Sequence, residues 1–375
     1  MPKDISALRE SDLTDSIDWS LVANATEDER YRLPDNAAQW AEHLPVNVFD
    51  AEGDLTPEKM ATARLRFAEL GALQIVNTGL TPQEQNDVPM RVLEGLGFGE
   101  QDQFKWGGLT SGRTNLKYIS KCMRETDDYP KHLFLLPHNE ILYQRFMPER
   151  LLFICTKPTN RGEGGRTFAH CAKKTERYLS QSATGQNLLK KMRDGGFTIV
   201  TGFLDDNHPE KAKNYFRSWQ DRFDTKDHDE ALAVCRQSTH QFDDCWWMEE
   251  PVTTADGKPC LTLMTSITIP AFKTDARNGE SYMMFPRVAL DGPKAHNGHR
   301  RFLIGPEKEE LTPGETALLL QAFLATREGQ YYDAGDILLV DNIRYGHSRE
   351  SYAGTRRIYA SMAGMFWTDD AKQEI

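Results

Sequence analysis

The chain has 375 residues, of which 39% are hydrophobic, with a formal net charge of −11 at pH 7 and a pI near 5.5. This length can bury a sizeable core. The acidic excess is spread along the chain and argues against nucleic-acid binding, which requires a basic surface. The six cysteines form no Cys-x-x-Cys pair, and the N-terminus has no apolar leader. We therefore expect a cytoplasmic protein with reduced thiols and no membrane span.

Helix and strand signals are clear in the first hundred residues. Residues 1–35 are polar and acidic, which is typical of a surface arm. Thr56-Pro57 predicts the start of a helix and Gly71 its end, and "ALQIVNT" (72–78) then predicts a short strand. The stretch 81–98 predicts a further helix with a proline interruption.

After Leu133 the pattern becomes that of strands, namely short apolar runs separated by Pro, Gly and polar turns. Helical spacing dominates between these strands and the later ones, which predicts an insertion at about 171–255 that acts as a lid. The later elements are a strand region at 260–272, a helix at 312–330 and strands near 337–341 and 356–364. We predict a mainly β fold with helical additions, a double-stranded β-helix (jelly roll) that forms a single domain over residues 1–375.

Three His-x-Glu triplets could each supply two metal ligands, at His138–Glu140, His208–Glu210 and His228–Glu230. Two imidazoles and one carboxylate on one face leave open positions on a metal, as in the facial triad of non-haem Fe(II) oxygenases. In a strand, residues i and i+2 point to the same side, whereas on a helix they diverge. Only His138–Glu140 follows an apolar, strand-like run. The other two lie in polar stretches typical of a turn and a helix start, so we favour the first.

A third ligand would have to come from a distant strand, and the C-terminal block offers one. There, "GDILLVDNIRYGHSRE" places His347 after an apolar strand, and "GTRRIYASM" adds the arginine pair Arg356 and Arg357 on the next strand. An arginine fork binds a carboxylate in a bidentate pair. The block therefore predicts a metal ligand beside an anion clamp.

These stretches resemble the taurine-dioxygenase/clavaminate-synthase group of Fe(II)- and 2-oxoglutarate-dependent oxygenases. Five matching stretches follow one another in the order of the family and span about 250 residues, and they are "SGRT" (111–114), "PHNEILY" (137–143), "ERLLFICTKPTNRGEGGRTFAH" (149–170), "ARNGESYMMF" (276–285) and "DILLVDNIRYGHSRESYAGTRRI" (336–358). The likeness is strongest to members that hydroxylate amino-acid-like groups in natural-product pathways.

The resemblance implies a role for each matching residue. The iron ligands would be His138, Glu140 and His347, and the distal carboxylate of 2-oxoglutarate would be held by Thr167 and Arg357. Arg357, the second of the pair, matches the family's carboxylate-binding arginine, and Arg356 would then point to the opposite side of the strand. Asn139 and Tyr143 match positions that often line the site, and Arg113, Arg287 and Arg349 are candidates for contacts with the substrate.

The implied reaction is oxidation of an unactivated C–H bond of a small carboxylate- or amino-acid-like molecule, with Fe(II), 2-oxoglutarate and O2. Ser361 stands where taurine dioxygenase has its sulfonate-binding arginine, which argues against a sulfonate substrate. Glu140 argues against halogenation, since halogenating relatives have a small residue there. Hydroxylation is the default, and oxidative cyclisation or desaturation, as in kainoid-forming cyclases, uses the same ligands. A zinc hydrolase and a non-catalytic jelly-roll binding module stay open, and the oligomeric state is not readable.

Overall fold

The structure is a computed structural model that describes residues 47–104, 118–120, 122–126, 131, 135–161, 163–209, 217–239, 241–249, 252–253, 257, 259–285, 300–329 and 331–367. Its helices are α1 (Pro57–Leu70), α2 (Pro82–Asn86), α3 (Met90–Leu96), α4 (Ala172–Leu179), α5 (Ala183–Gly195), α6 (Trp219–Phe223), α7 (His228–Gln237) and α8 (Pro313–Thr326), with a 3₁₀ turn at Glu100–Asp102.

The strands are short and are distributed along the described part of the chain. They are β1 (Val48–Asp50), β2 (Ala72–Val76), β3 (Tyr118–Ser120), β4 (Met123–Glu125), β5 (Leu135–His138), β6 (Phe146–Met147), β7 (Arg150–Lys157), β8 (Thr167–Cys171), β9 (Phe197–Phe203), β10 (Asp244–Trp247), β11 (Val252–Thr253), β12 (Pro259–Cys260), β13 (Leu263–Ile269), β14 (Phe272–Asp275), β15 (Glu280–Met283), β16 (Arg300–Ile304), β17 (Arg327–Glu328), β18 (Ile337–Asp341), β19 (Tyr345–Arg349), β20 (Arg357–Ala363) and β21 (Phe366–Trp367). The protein is mainly β with helical additions, as its sequence predicts.

Local sequence signals explain where the first elements begin and end. The Thr56 hydroxyl caps α1 by accepting from the Lys59 amide, and Pro57 opens the helix. Gly71 ends α1 in a left-handed conformation at φ 81°, which a residue with a Cβ rarely adopts. The strand predicted after this glycine is β2, and the proline interruption separates α2 from α3.

Two sheets form the centre of the molecule. The large sheet has the strand order β1-β2-β18-β7-β20-β4-β3, and the small sheet has the order β17-β8-β19-β5. Only the β1–β2 pair within them is parallel. Alternate side chains of β7 enter different cores, as expected for a strand buried on both faces. Leu151, Phe153 and Cys155 pack in one cluster that includes residues of the small sheet, whereas Leu152 and Ile154 pack with α1 and α3.

A third sheet, with the order β10-β13-β9-β16, extends from the region predicted as an insertion. β9 lies within residues 171–255, but its partners β13 and β16 lie beyond residue 255. The helices α6 and α7 pack beside this sheet around a small core that contains Trp219, Phe223 and Phe242. Strands on both sides of the predicted boundary therefore share hydrogen bonds. Among the described residues, no helix is both long and apolar enough to cross a membrane.

One cysteine pair contradicts the expectation of reduced thiols. Cys235 on α7 and Cys245 on β10 form a disulfide, with their Cα atoms 6.2 Å apart. Both side chains belong to the small core beside the third sheet. The prediction was wrong because helix–strand packing brings these two residues together, and their spacing in the sequence resembles no redox or metal motif. The other four cysteines, 122, 155, 171 and 260, are free thiols.

The small sheet contains a buried histidine that makes stability depend on pH. His170 on β8 is fully buried, and its Nε2 lies 2.8 Å from the Ser348 hydroxyl. Burial, reinforced by the charge of Arg327, lowers the pKa of His170 to about 3. The unfolded chain binds a proton near pH 6.5, so folding loses stability as the pH falls below that value.

We therefore expect the free energy of unfolding to fall by about 1.4 kcal/mol per pH unit from this group alone between pH 6 and 4. His170→Gln should reduce the pH dependence of the free energy of unfolding by the contribution of about one proton. Urea unfolding of the metal-free protein at several pH values measures this. His228→Gln removes an exposed histidine and is the matched control. Equal slopes in the wild type and His170→Gln would contradict a neutral buried imidazole.

Candidate metal centre and arginine pocket

Two strands of the small sheet bring three potential metal ligands together. His138 ends β5 and pairs directly with His347 on β19, and Glu140 follows in the turn after β5. The Nε2 atoms of both histidines lie 3.7 Å from Glu140 Oε2. All three side chains are buried, and their ligand atoms lie within 4.8 Å of one another. They form the one cluster of three or more metal-ligating side chains found in the described part of the chain.

The donor atoms and their spacing fit a divalent metal ion. Protein nitrogen and oxygen ligands bind such ions at about 2.0–2.2 Å, so neighbouring donors lie about 3 Å apart around the ion. A contraction of less than an ångström from the 3.7 Å separations would complete such a site. Two imidazoles and one carboxylate on one side also leave positions for small molecules. His138, Glu140 and His347 are called the triad below.

The orientation of His138 is determined by a backbone contact. Its Nδ1 lies 2.8 Å from the carbonyl oxygen of Leu136. Because a carbonyl can only accept a hydrogen bond, Nδ1 carries the proton and Nε2 keeps its lone pair toward Glu140. The ring of His347 packs 4.3 Å from the ring of His138 and 5.1 Å from that of Phe153. Both imidazoles are thus held in place before a metal binds.

Two asparagines connect the segment that carries Glu140 to the turn between β18 and β19. The side-chain amide of Asn139 donates to the carbonyls of Asn342 and Tyr345 at 2.7 and 3.0 Å, and its oxygen accepts from the Phe285 amide at 2.6 Å. Asn342 in turn accepts from the Glu140 amide at 2.8 Å and donates to the Glu140 carbonyl at 3.1 Å. Asn139, predicted to line the site, therefore has its side chain engaged with backbone. Asn342 was not predicted at all.

The turn after Glu140 is tightly constrained. Ile141 adopts φ 62°, a left-handed conformation that is unfavourable for a β-branched residue, and its side chain is buried. This conformation reverses the chain directly after the carboxylate ligand. Tyr143, also predicted to line the site, is half-buried and packs against the hydrophobic clusters on either side of the small sheet.

The arginine beside Thr167 is Arg356 and not Arg357. Arg356 Nη2 donates to the Thr167 hydroxyl at 2.6 Å. Arg357 is exposed, and its Nε lies 3.7 Å from Glu125 on the opposite side. The preference for Arg357 came from its match to the family's arginine and from the assumption of regular alternation along β20. However, the register with β7 shifts between Arg357 and Ile358, and a bulge of this kind changes which neighbour faces the core.

A second arginine lies close to the same threonine. Arg349 on β19 pairs with Thr167 on β8, is buried, and lies two residues from His347, hence on the same face of the strand. Its guanidinium carbon lies 5.0 Å from the centre of the Tyr352 ring, and that of Arg356 lies 5.8 Å from the same centre. Tyr352 is therefore flanked by two cations. This places Arg349, a predicted substrate residue, nearer to the predicted 2-oxoglutarate clamp.

Tyr332 adds a hydroxyl to this group. Its side chain is only 8% exposed. Burial raises the pKa of Tyr332, while Arg356 and the Thr167 hydroxyl act in the opposite direction. The hydroxyl is therefore a protonated donor. Thr167, Tyr332, Arg349, Tyr352 and Arg356 are called the arginine pocket below.

The remaining predicted residues fall into two groups. Arg113 and Arg287 lie outside the described residues. Of the alternative triplets, His228–Glu230 begins α7, with Asp227 as its N-cap and both members exposed, as the sequence indicates. His208 is buried, and Glu210 lies outside the described residues.

Comparisons with known proteins give only weak similarity. No family model and no curated protein matches the chain. Among solved structures, AAD-2 in complex with Mn(II) and N-oxalylglycine is 12% identical, with 88% of this chain and 98% of that chain covered and a TM-score of 0.45.

Two further structures match at a similar level. PvcB from Pseudomonas aeruginosa is 13% identical, with 86% of this chain and 87% of that one covered and a TM-score of 0.46, and a PvcB structure is described as an Fe, alpha-ketoglutarate dependent oxygenase. A taurine dioxygenase from Burkholderia xenovorans is 12% identical, with 86% and 89% covered and a TM-score of 0.41. At such low similarity, a functional assignment has to come from the side chains of the site.

Proposed function

We propose that the protein is an Fe(II)- and 2-oxoglutarate-dependent oxygenase of the taurine-dioxygenase type. The observation that carries the proposal is the buried His138–Glu140–His347 triad beside the arginine pocket. The triad alone would also suit a zinc hydrolase. A hydrolase, however, has no need of a cationic pocket for a second carboxylate on the same face of β19. The packing of the large and small sheets around a shared core supports a double-stranded β-helix.

The chain's own residues have distinct tasks in this reaction. His138, Glu140 and His347 would hold the iron from one side and leave the other positions open. When bound, the iron supplies the redox chemistry, in which O2 and 2-oxoglutarate yield succinate, carbon dioxide and an oxidised substrate.

The arginine pocket would orient 2-oxoglutarate. Arg356 and Thr167 would bind its distal carboxylate, with Arg349 adding charge and Tyr332 a hydroxyl donor, since charge-assisted hydrogen bonds are the strong ones. A dicarboxylate held at both ends has little freedom to move, so its reactive end stays next to the triad. Asn342 holds the Glu140 backbone, and Asn139 in turn holds the backbone of Asn342 and Tyr345.

The substrate we propose is a small carboxylate- or amino-acid-like molecule of specialised metabolism, oxidised at an unactivated C–H bond. Hydroxylation is the simplest outcome for an intact triad. Halogenation is disfavoured because Glu140 occupies the ligand position where a halide would bind. Oxidative cyclisation and desaturation need the same residues, so product analysis has to separate them.

Anaerobic addition of Fe(II) and 2-oxoglutarate tests the proposal directly. We expect a visible charge-transfer band in the wild type, and succinate formation once air is admitted with a panel of amino acids and related acids. His347→Ala should lack the band. A folded wild-type protein that shows neither the band nor succinate would overturn the assignment.

A further inference from the structure

The face of the small sheet opposite to the triad contains a buried arginine. Arg327 on β17 pairs directly with His170 on β8, and directly paired residues point to the same side of a sheet. His347 pairs instead with Ala169, the neighbour of His170, so the triad lies on the other side. Arg327 is only 4% exposed. It is therefore a buried cation that belongs neither to the triad nor to the arginine pocket.

Arg327 has no direct polar partner among the described residues. Its Nε is enclosed and accepts no hydrogen-bond partner there, and no carboxylate of that part of the chain forms an ion pair with its guanidinium. The guanidinium carbon lies 4.9 Å from the centre of the Phe168 ring, a contact that supplies no hydrogen bond to the cation. Burial of a charge is strongly unfavourable unless the charge is paired and hydrogen-bonded.

A second arginine shares the Phe168 ring. The guanidinium carbon of Arg166 lies 5.2 Å from the same ring centre, so both cations lie beside one ring. Arg166 donates to Glu350 twice, from Nε at 2.8 Å and from Nη2 at 2.6 Å. Burial lowers the pKa of Arg327, Arg166 lowers it further, and Glu350 opposes both. One carboxylate therefore serves two guanidiniums, and this group of three side chains keeps a net positive charge.

We propose that Arg327, together with Arg166, binds a small oxyanion on the outer face of the small sheet, a phosphate or a carboxylate group. A guanidinium presents a planar fork of donors that matches both groups. Only the Nε of Arg327 is enclosed without a partner, so the donors at the tip of the side chain remain available to a ligand. The bound anion would supply the negative charge that Glu350 alone does not provide.

This site is separate from the arginine pocket. Arg166 adjoins Thr167, and Glu350 adjoins Arg349, but neighbouring residues of a strand point to opposite faces. The two anion sites therefore lie back to back on β8 and β19, and a ligand in one leaves the other empty. The low exposure of Arg327 favours a small ion over a bulky ligand. The proposal does not depend on the oxygenase function.

Thermal unfolding measures binding without knowledge of the natural ligand. A ligand that binds only the folded protein raises the Tm as its concentration rises. Inorganic phosphate and acetate are the probes, in a chloride buffer of constant ionic strength. We expect a saturable rise in Tm with phosphate. A rise with phosphate alone would assign the site to phosphate groups, and a rise with acetate as well would extend it to carboxylates.

Variants locate the binding site. Arg327→Met should lose the rise in Tm with phosphate. In chloride alone its Tm should equal or exceed that of the wild type, because the change removes a buried charge without a partner. Arg327→Lys should bind phosphate about tenfold more weakly, since an ammonium group lacks the fork. Glu350→Gln should bind phosphate more tightly, because a competing carboxylate is lost. Arg301→Met, which removes an exposed arginine of β16, should respond as the wild type does.

The arginine pocket could also bind phosphate, so the comparison is repeated with Arg356→Met. The rise in Tm should persist in Arg356→Met and disappear in the Arg356→Met/Arg327→Met double variant. No saturable response of the wild type to phosphate, or an unchanged response in Arg327→Met, would overturn the outer site. A response lost in Arg356→Met alone would do the same. Arg327→Lys and Glu350→Gln keep the test decisive if Arg327→Met fails to fold.

Discussion

Glu140→Ala should lower Fe(II) affinity by at least about a hundredfold and abolish succinate formation. Loss of an outer-shell partner already costs about 10- to 100-fold in metal affinity, and Glu140 is the single carboxylate of the triad. Its removal also leaves two buried imidazoles without the negative charge that offsets the charge of the metal. Mn(II) binding followed by electron paramagnetic resonance measures the affinity without turnover.

The chain contains matched controls for this change. Glu230 belongs to another His-x-Glu triplet but is exposed at the start of α7, so Glu230→Ala should bind metal as the wild type does. Glu210→Ala, in the third His-x-Glu triplet, serves as a second control. Tight Mn(II) binding by Glu140→Ala, or its loss in Glu230→Ala, would show that the metal is held elsewhere.

Arg356→Met should raise the Kd for 2-oxoglutarate by about 10- to 100-fold, because a hydrogen bond to a charged group contributes about 1.5–3 kcal/mol. The guanidinium is within 2.6 Å of the Thr167 hydroxyl and is the group best placed to meet a carboxylate there. Fe(II) binding should be nearly unchanged, because Arg356 is not part of the triad. Anaerobic titration of the charge-transfer band with 2-oxoglutarate measures the effect.

The neighbouring residue is the control. Arg357 is exposed, and its 3.7 Å ion pair with Glu125 is of the surface kind that contributes at most about 1 kcal/mol. Arg357→Met should therefore leave the Kd for 2-oxoglutarate within about twofold of the wild type. The reverse pattern, with Arg357→Met defective and Arg356→Met normal, would place the clamp on the other side of β20.

Much of the fold was predictable because its signals are local. The cap at Thr56, the stop at Gly71 and the apolar run of β18 depend on residues close together in the chain, and the structure confirms each. The proximity of His138 to His347 could be predicted because two separate motifs each contributed one proposed ligand.

The features that were missed depend on contacts distant in sequence or on irregular backbone. A register shift between β20 and β7 determines which of Arg356 and Arg357 faces Thr167, and the sequence of the two arginines does not indicate this shift. Tyr332 lies in a turn without a motif and reaches Thr167 only through folding. The disulfide likewise depends on how α7 packs on β10. In each case the sequence contains the residue types but not the geometry that joins them.

The side chains of Asn139 and Asn342 determine what would be needed to transfer the candidate metal centre to another protein. Each amide is both a donor and an acceptor, and each is used in both roles at once. Aspartate lacks the donors and glutamine is one methylene longer, so neither can substitute. The smallest transferable unit is therefore five side chains, three ligands and two amides. Grafting only the three ligands onto another sheet would supply the right side chains but not the backbone arrangement that holds them in position.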